Sequence, residues 1–87
     1  MKIGIRPNDI VRHNPTGEVW VVAGVHFDGG TLIPMGYPFP SVAITDDCTL
    51  LESRYGREPQ PENVIKSLRD HGLESYIDVR SEMFHDL

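Results

Sequence analysis

Basic charge, thiols and long apolar runs are all scarce in this sequence, and each shortage narrows the function. Lysine and arginine total 8 against 13 aspartates and glutamates, a formal net charge of −5. That balance argues against a protein that grips a phosphate backbone by charge alone. The single cysteine cannot form an intrachain disulfide, so a stapled secreted miniprotein is excluded. The longest apolar run, residues 19–25, falls far below the ~20 residues that cross a bilayer. Met1-Lys2-Ile3-Gly4-Ile5-Arg6-Pro7 is too short and too polar for a signal peptide, and neither end carries a lipidation signal. The expectation is a cytoplasmic protein without membrane contact.

Catalytic and cofactor motifs are scarce too. The histidines, His13, His26, His71 and His85, show no zinc-ligand spacing. His26 and Asp28 can share a metal only with a third group from elsewhere; the plainer reading is a strand-end histidine beside a turn. Cys48 is a nucleophile only if a histidine reaches it, and its strand position reads as half-buried core. Asp46-Asp47 reads as a turn former. Gly24, Gly29 and Gly30 are too scattered to cradle phosphate. The expectation is therefore no cofactor, no metal and no enzymatic activity.

What is present divides the 87 residues near position 55. A chain of this length holds one small domain, burying roughly 60–65% of the surface its unfolded form exposes. Residues 1–55 are rich in Gly, Pro, Val, Thr and aromatics, the composition of short strands between tight turns. Strands are expected at 9–13, 18–26, 31–35, 41–45 and 48–52. Their turn signals are Asn14-Pro15-Thr16-Gly17, Asp28-Gly29-Gly30 and Asp46-Asp47. In the longest strand Val19, Val21, Ala23 and Val25 alternate with Trp20, Val22, Gly24 and His26. Both faces are largely apolar, which implies cover on both sides, and Gly24 marks a bend or bulge. Five short strands describe a small antiparallel barrel.

Residues 56–87 read as a helical extension, packed on the barrel or at an interface and forming one structural unit with it. Pro61 suits a helix start and Gly72 its end, with Val64, Ile65 and Leu68 as an apolar stripe. Leu73, Tyr76, Ile77, Arg80, Met83 and Phe84 then fall at helical spacing. A strand over 76–80 is the rival reading. The apolar residues of this tail are either core against the barrel or an oligomer or partner interface.

Four segments carry a family resemblance: Arg6-Pro7-Asn8-Asp9-Ile10-Val11-Arg12, Gly17-Glu18-Val19-Trp20-Val21-Val22, Gly36-Tyr37-Pro38 and Asp47-Cys48-Thr49-Leu50-Leu51. The first is similar to the Pro-Gly-Asp-x-Val entry strand of KOW-type barrels. Together they resemble uncharacterised small bacterial or phage-borne SH3-like barrel proteins over residues 6–52. Asn8 stands where the entry turn usually has glycine, a tolerable change because asparagine visits left-handed conformations. The resemblance implies a five-stranded SH3-like barrel over that span and does not extend to the tail. With the helices read there, the expected fold is α+β, mainly β: a five-stranded SH3-like barrel followed by one or two C-terminal helices. The resemblance implies nothing about activity, because such folds host unrelated roles.

The aromatics carry the functional expectation. Tyr37-Pro38-Phe39-Pro40 is stiff, because each proline fixes φ and restricts its predecessor. Rigid aromatics bind at low entropic cost. Trp20, Tyr37, Phe39 and Phe27, joined by Tyr55, are thus candidate anchors for a protein partner or for self-association; the plainer reading makes Trp20 and Phe39 plugs of the barrel. The alternative is a nucleic-acid-binding barrel in the manner of KOW or Tudor-like domains. Arg12, Arg54 and Arg57 would then meet phosphate, within a wider patch of Arg6, Arg12, His13, Arg54 and Arg57.

Overall fold

Residues able to adopt positive φ set the boundaries of the strands. The computed structural model describes residues 4–37, 41–54 and 58–85. Asn8 takes the left-handed conformation at φ 75°, and β1 (Ile10–His13) follows. Gly17, at φ 75°, closes the first hairpin by donating its N–H to His13 O at 2.7 Å. β2 (Glu18–Val25) and β3 (Thr31–Pro34) flank a second turn. β4 (Ala43–Ile44) passes through a 3-10 turn, Thr45–Asp47, into β5 (Cys48–Glu52). Every pairing is antiparallel and the order is β4-β3-β2-β1-β5.

The fold is mainly β with a helical tail, but the expected closure into a barrel is not found. β4 and β5 are the two edges of an open sheet. The 3-10 turn takes Thr45, which shortens β4 to two residues and leaves it little backbone with which to close on β5.

A register shift between Val22 and Gly24 sets Ala23 and Gly24 against a single partner position on β3, the signature of a bulge. The alternation of β2 changes sides there. Trp20 and Val22 pack with Val11 and Leu32, and Val25 joins that inner cluster instead of the face it was expected to share with Val19, Val21 and Ala23. Ala23 turns outward to a second cluster of Ile33, Val64, Leu68 and Tyr76. The two smallest side chains of the strand thus lie where the tail comes down. A Cβ at Gly24 would stand 3.0 Å from both Tyr76 Cβ and Tyr76 O, closer than ordinary packing permits.

The tail begins with α1 (Glu62–Asp70), whose Val64, Ile65 and Leu68 are buried. Burial of three such side chains supplies at most about 5–8 kcal/mol. Its C-terminus is a Schellman motif: Leu73 N–H donates to Leu68 O at 2.8 Å and Gly72 N–H to Arg69 O at 3.2 Å. Gly72, at φ 71°, makes the reversal without steric cost. The continuous helical spacing expected from Leu73 onward is interrupted. A 3-10 turn, Glu74–Tyr76, ends at an extended Ile77 (φ −76°, ψ 128°). α2 (Val79–His85) starts afresh, capped by Asp78 Oδ1 accepting from Arg80 N–H at 3.2 Å. No strand forms over 76–80.

Gln60, fully buried, explains the break. Its Nε2 donates to Ala23 O at 2.6 Å and Tyr76 O at 3.3 Å, while its Oε1 accepts from Asp78 N–H at 2.9 Å. That last bond diverts the Asp78 amide from a helical partner. The Gln60 backbone N–H donates to Ser81 Oγ at 2.7 Å, and its carbonyl accepts from His85 Nε2 at 2.9 Å. One residue thereby ties β2, the 3-10 turn and α2 together.

A second staple joins the sheet to the segment leading into the tail. Buried Asp9 accepts from Arg6 N–H at 2.8 Å and Arg54 N–H at 2.6 Å. Asn8 Nδ2 donates to Pro59 O at 2.5 Å and Glu58 O at 3.2 Å. Asparagine at position 8 therefore does what glycine cannot: it makes the turn and holds the tail.

Gln60→Glu keeps the side-chain shape but sets an oxygen against the carbonyls of Ala23 and Tyr76. Leaving buried polar groups unsatisfied costs about 1–3 kcal/mol each, so the variant is expected to lose about 3 kcal/mol in urea unfolding at neutral pH. An unchanged urea midpoint would refute the role given to Gln60.

Candidate functional site

The structure separates the aromatic residues expected to act together. Trp20 is only 8% exposed and belongs to the inner core with Val11, Val22 and Leu32. Tyr37 packs against that core, its ring edge-on to Trp20 at 6.4 Å. The Tyr37 hydroxyl donates to the Glu18 carboxylate, which, with burial and the negative charge itself, pushes its pKa upward. Phe39 and Tyr55 lie outside the described residues. Phe27, in contrast, is 82% exposed.

Arg12 and Arg54, of the nucleic-acid alternative, are engaged with neighbours. Arg12 Nε donates to Asn14 Oδ1 at 3.2 Å, an oxygen that also accepts from Thr49 Oγ1 at 3.1 Å. Arg54 Nη1 lies 3.0 Å from both Glu58 carboxylate oxygens, and its Nε lies 3.8 Å from Glu52. Arg57 is outside the described residues. Among the described residues no group of three His, Cys, Asp or Glu side chains could hold a metal ion. No helix among them is long and apolar enough to cross a membrane.

Phe27 stands at the tip of the β2–β3 hairpin, and its surroundings show how the ring is held outward. His26 N–H donates to Thr31 O at 2.9 Å and Gly29 N–H to His26 O at 2.7 Å. Asp28 Oδ1 accepts from Gly30 N–H at 2.8 Å and lies 2.9 Å from His26 Nδ1. The Asp28 backbone N–H also approaches Nδ1, at 3.3 Å, but one ring nitrogen cannot donate and accept along both contacts. The shorter, charge-assisted contact to the carboxylate is the stronger, so Nδ1–H donates to Asp28. The imidazole so fixed lies 4.4 Å from Phe27 and edge-on to Tyr76 at 5.2 Å. Tyr76 is itself anchored through its hydroxyl to Thr31 Oγ1 at 2.8 Å. The exposed ring therefore rests on a fixed support.

Beside Phe27 runs an open groove of about 470 Å³ between the hairpin, residues 4–7 and the stretch from Ser75 to Arg80. Its apolar lining includes Ile5, Val25, Ile77 and Val79. Val79 leads onto α2, which is mounted inside out. Ser81 is its buried residue, whereas Val79, Met83 and Phe84 are 66%, 63% and 57% exposed. Of the apolar tail residues, Val64, Leu68 and Tyr76 belong to the outer core cluster and Ile65 is also buried, whereas Met83 and Phe84 are exposed. The cause is the bonding of Ser81 Oγ to Gln60 N–H and, at 3.0 Å, to Asp78 Oδ2, which turns the polar face of the helix inward. Val79 escapes the sequence reading because its partner in the groove, Phe27, lies 52 positions away; its only local signal is an aliphatic residue directly after a helix-capping aspartate.

Two titrations test these local arrangements. The Gly30 amide and then His26 hold the Asp28 carboxyl below the ordinary aspartate value. Their stabilising contribution is thus present above that ordinary value and fades as pH falls through the lowered one. NMR titration should place the Asp28 midpoint below that of aspartate in a short peptide, and an ordinary midpoint would contradict the bonding at the hairpin tip. Burial, reinforced by the charge of Asp47, pushes the Cys48 thiol upward. At pH 8 Cys48 should react with a thiol reagent several-fold more slowly than a free cysteine; an equal or faster rate would contradict that environment.

No family model, curated protein or solved structure matches this chain.

Proposed function

We propose that this chain is a small non-enzymatic binding module that captures a segment of a partner protein in the groove beside Phe27. The observation that carries this reading is the pairing of a propped, exposed aromatic with a helix whose apolar face points to solvent. Hydrophobic side chains clustered in this way mark interaction surfaces, because isolated folding would bury them. A preorganised aromatic at a groove edge loses little freedom on binding. The anchor is then Phe27 with Val79, which line the groove together. Trp20, expected as an anchor from the sequence, belongs instead to the core that holds the sheet, and Tyr37 is half-buried against it.

An SH3-like reading of the β half is supported by the consecutive antiparallel strands and by β1, which pairs with both β2 and β5. In this reading the sheet is a curled, open member of that architecture, and the tail covers its outer face.

A phage-displayed peptide library provides the test. Peptides enriched on the native protein should lose at least about tenfold in affinity on Phe27→Ala with Val79→Ser. Urea stability should stay within about 0.5 kcal/mol, because both side chains are exposed. Peptides that bind the double variant as tightly as the native protein would defeat the proposal.

A further inference from the structure

We infer that α2 is a strap: it leaves Gln60 and reseats as one unit while the sheet, α1 and the 3-10 turn before it stay folded. The bonds of Gln60 divide into two sets. Its side-chain amide donates to Ala23 O and Tyr76 O and accepts from Asp78 N–H, which holds the chain up to residue 78. Its backbone N–H donates to Ser81 Oγ and its carbonyl accepts from His85 Nε2, which holds α2. The division falls between Asp78 and Val79, just after the extended Ile77. Breaking the second set leaves the first in place.

The two sets differ in what else supports them. Up to residue 78 the tail is fastened by apolar packing: Val64, Leu68 and Tyr76 belong to the outer cluster, and Leu73 and Ile77 pack against it. No residue of α2 belongs to either cluster, and its buried residue is Ser81. Its further described tie to α1 is the exposed pair Arg69–Glu82. Each neutral bond favours the seated state by roughly two- to tenfold, and an exposed ion pair by up to about fivefold. The Gln60 backbone groups freed by opening gain water as partners. Both bonds converge on one residue, and a seven-residue helix has little stability once released, so α2 opens as a unit and not turn by turn. Val79 departs with it, so the groove beside Phe27 is complete only while the strap is seated. That consequence bears on the docking proposed above; the opening itself does not depend on it.

Native-state hydrogen exchange followed by NMR, on the full chain in water and in sub-denaturing urea, tests this. The amides of Gln60, Met83, Phe84 and His85 should share one protection factor, at least about tenfold below that of Val22 and nearly independent of urea. The Asp78 amide should instead exchange with Val22, whose N–H donates to Asp9 O within the sheet. Ile33→Val should lower protection of Val22 and Asp78 about two- to tenfold and leave that of the strap amides unchanged. One common protection for all these amides, or strap amides that fall with Ile33→Val, would make α2 part of the global unit and overturn the inference. Protection that declines stepwise toward His85 while Gln60 stays with Val22 would be fraying of the helix end, and overturns it too. Exchange of the Asp78 amide with the strap would put the break earlier and overturn the division at Gln60. Free-peptide exchange rates throughout α2 would overturn the seated state itself.

Discussion

The contact on which most of this molecule depends is the amide of Gln60 buried between sheet and tail. A primary amide in a core is tolerated only when its donors and acceptor are matched. Here Ala23 and Tyr76 carbonyls take the donor side and the Asp78 amide supplies the acceptor side. The linker residue Gln60, strand β2 and the break at residues 76–78 are thereby fixed in one geometry. A hydrophobic residue at the same place would fill the space but would not specify where the tail breaks or how α2 turns. The smallness of Ala23 and Gly24 follows from the same contact, because the tail backbone must come close enough for hydrogen bonds to form.

The orientation of α2 is the functional consequence. A seven-residue helix has little intrinsic stability, so its partners decide how it lies. Those partners are polar: the backbone of Gln60 holds Ser81 and His85, and Arg69 pairs with Glu82. With its polar side committed inward, the helix has no other place for Val79 and Met83 than the surface. The hairpin tip behaves in parallel. Asp28, His26 and Tyr76 form a chain of contacts whose end product is a Phe27 ring in solvent. In both places polar bonding is satisfied within the chain and apolar surface is left outside. A protein optimised only for its own stability would show the reverse.

The aromatics illustrate why composition is a poor guide to which residue binds. Trp20 and Phe27 are seven positions apart on one hairpin and have opposite fates. Trp20 precedes the bulge and faces the inner cluster; Phe27 lies past the last pair of β2, where the chain has begun to turn. Trp20 lies between two valines, whereas Phe27 lies between His26 and the Asp28-Gly29-Gly30 turn. Position in the turn makes the difference: β2 ends at Val25, so the alternation that buries Trp20 no longer governs Phe27.

Features with local causes were legible in the amino-acid sequence. The strand count, the glycine turns, the left-handed Asn8, the α1 stripe and its Gly72 terminus depend on residues within a few positions of one another, and the structure contains all of them. Cover on both faces of β2 also followed from its unbroken apolar character. Tertiary structure decided the rest. It left the sheet open at β4 and β5, divided the tail at Ile77-Asp78, buried Trp20, and exposed Phe27, Val79, Met83 and Phe84. The division of the tail and the lie of α2 turn on bonds between residues 16 to 37 positions apart, such as Gln60 to Tyr76 and Gln60 to Ala23, and Asn8 reaches Pro59 across 51. Local propensity fixes which segments are strands or helices; the non-local satisfaction of buried polar groups fixes which faces they show to solvent.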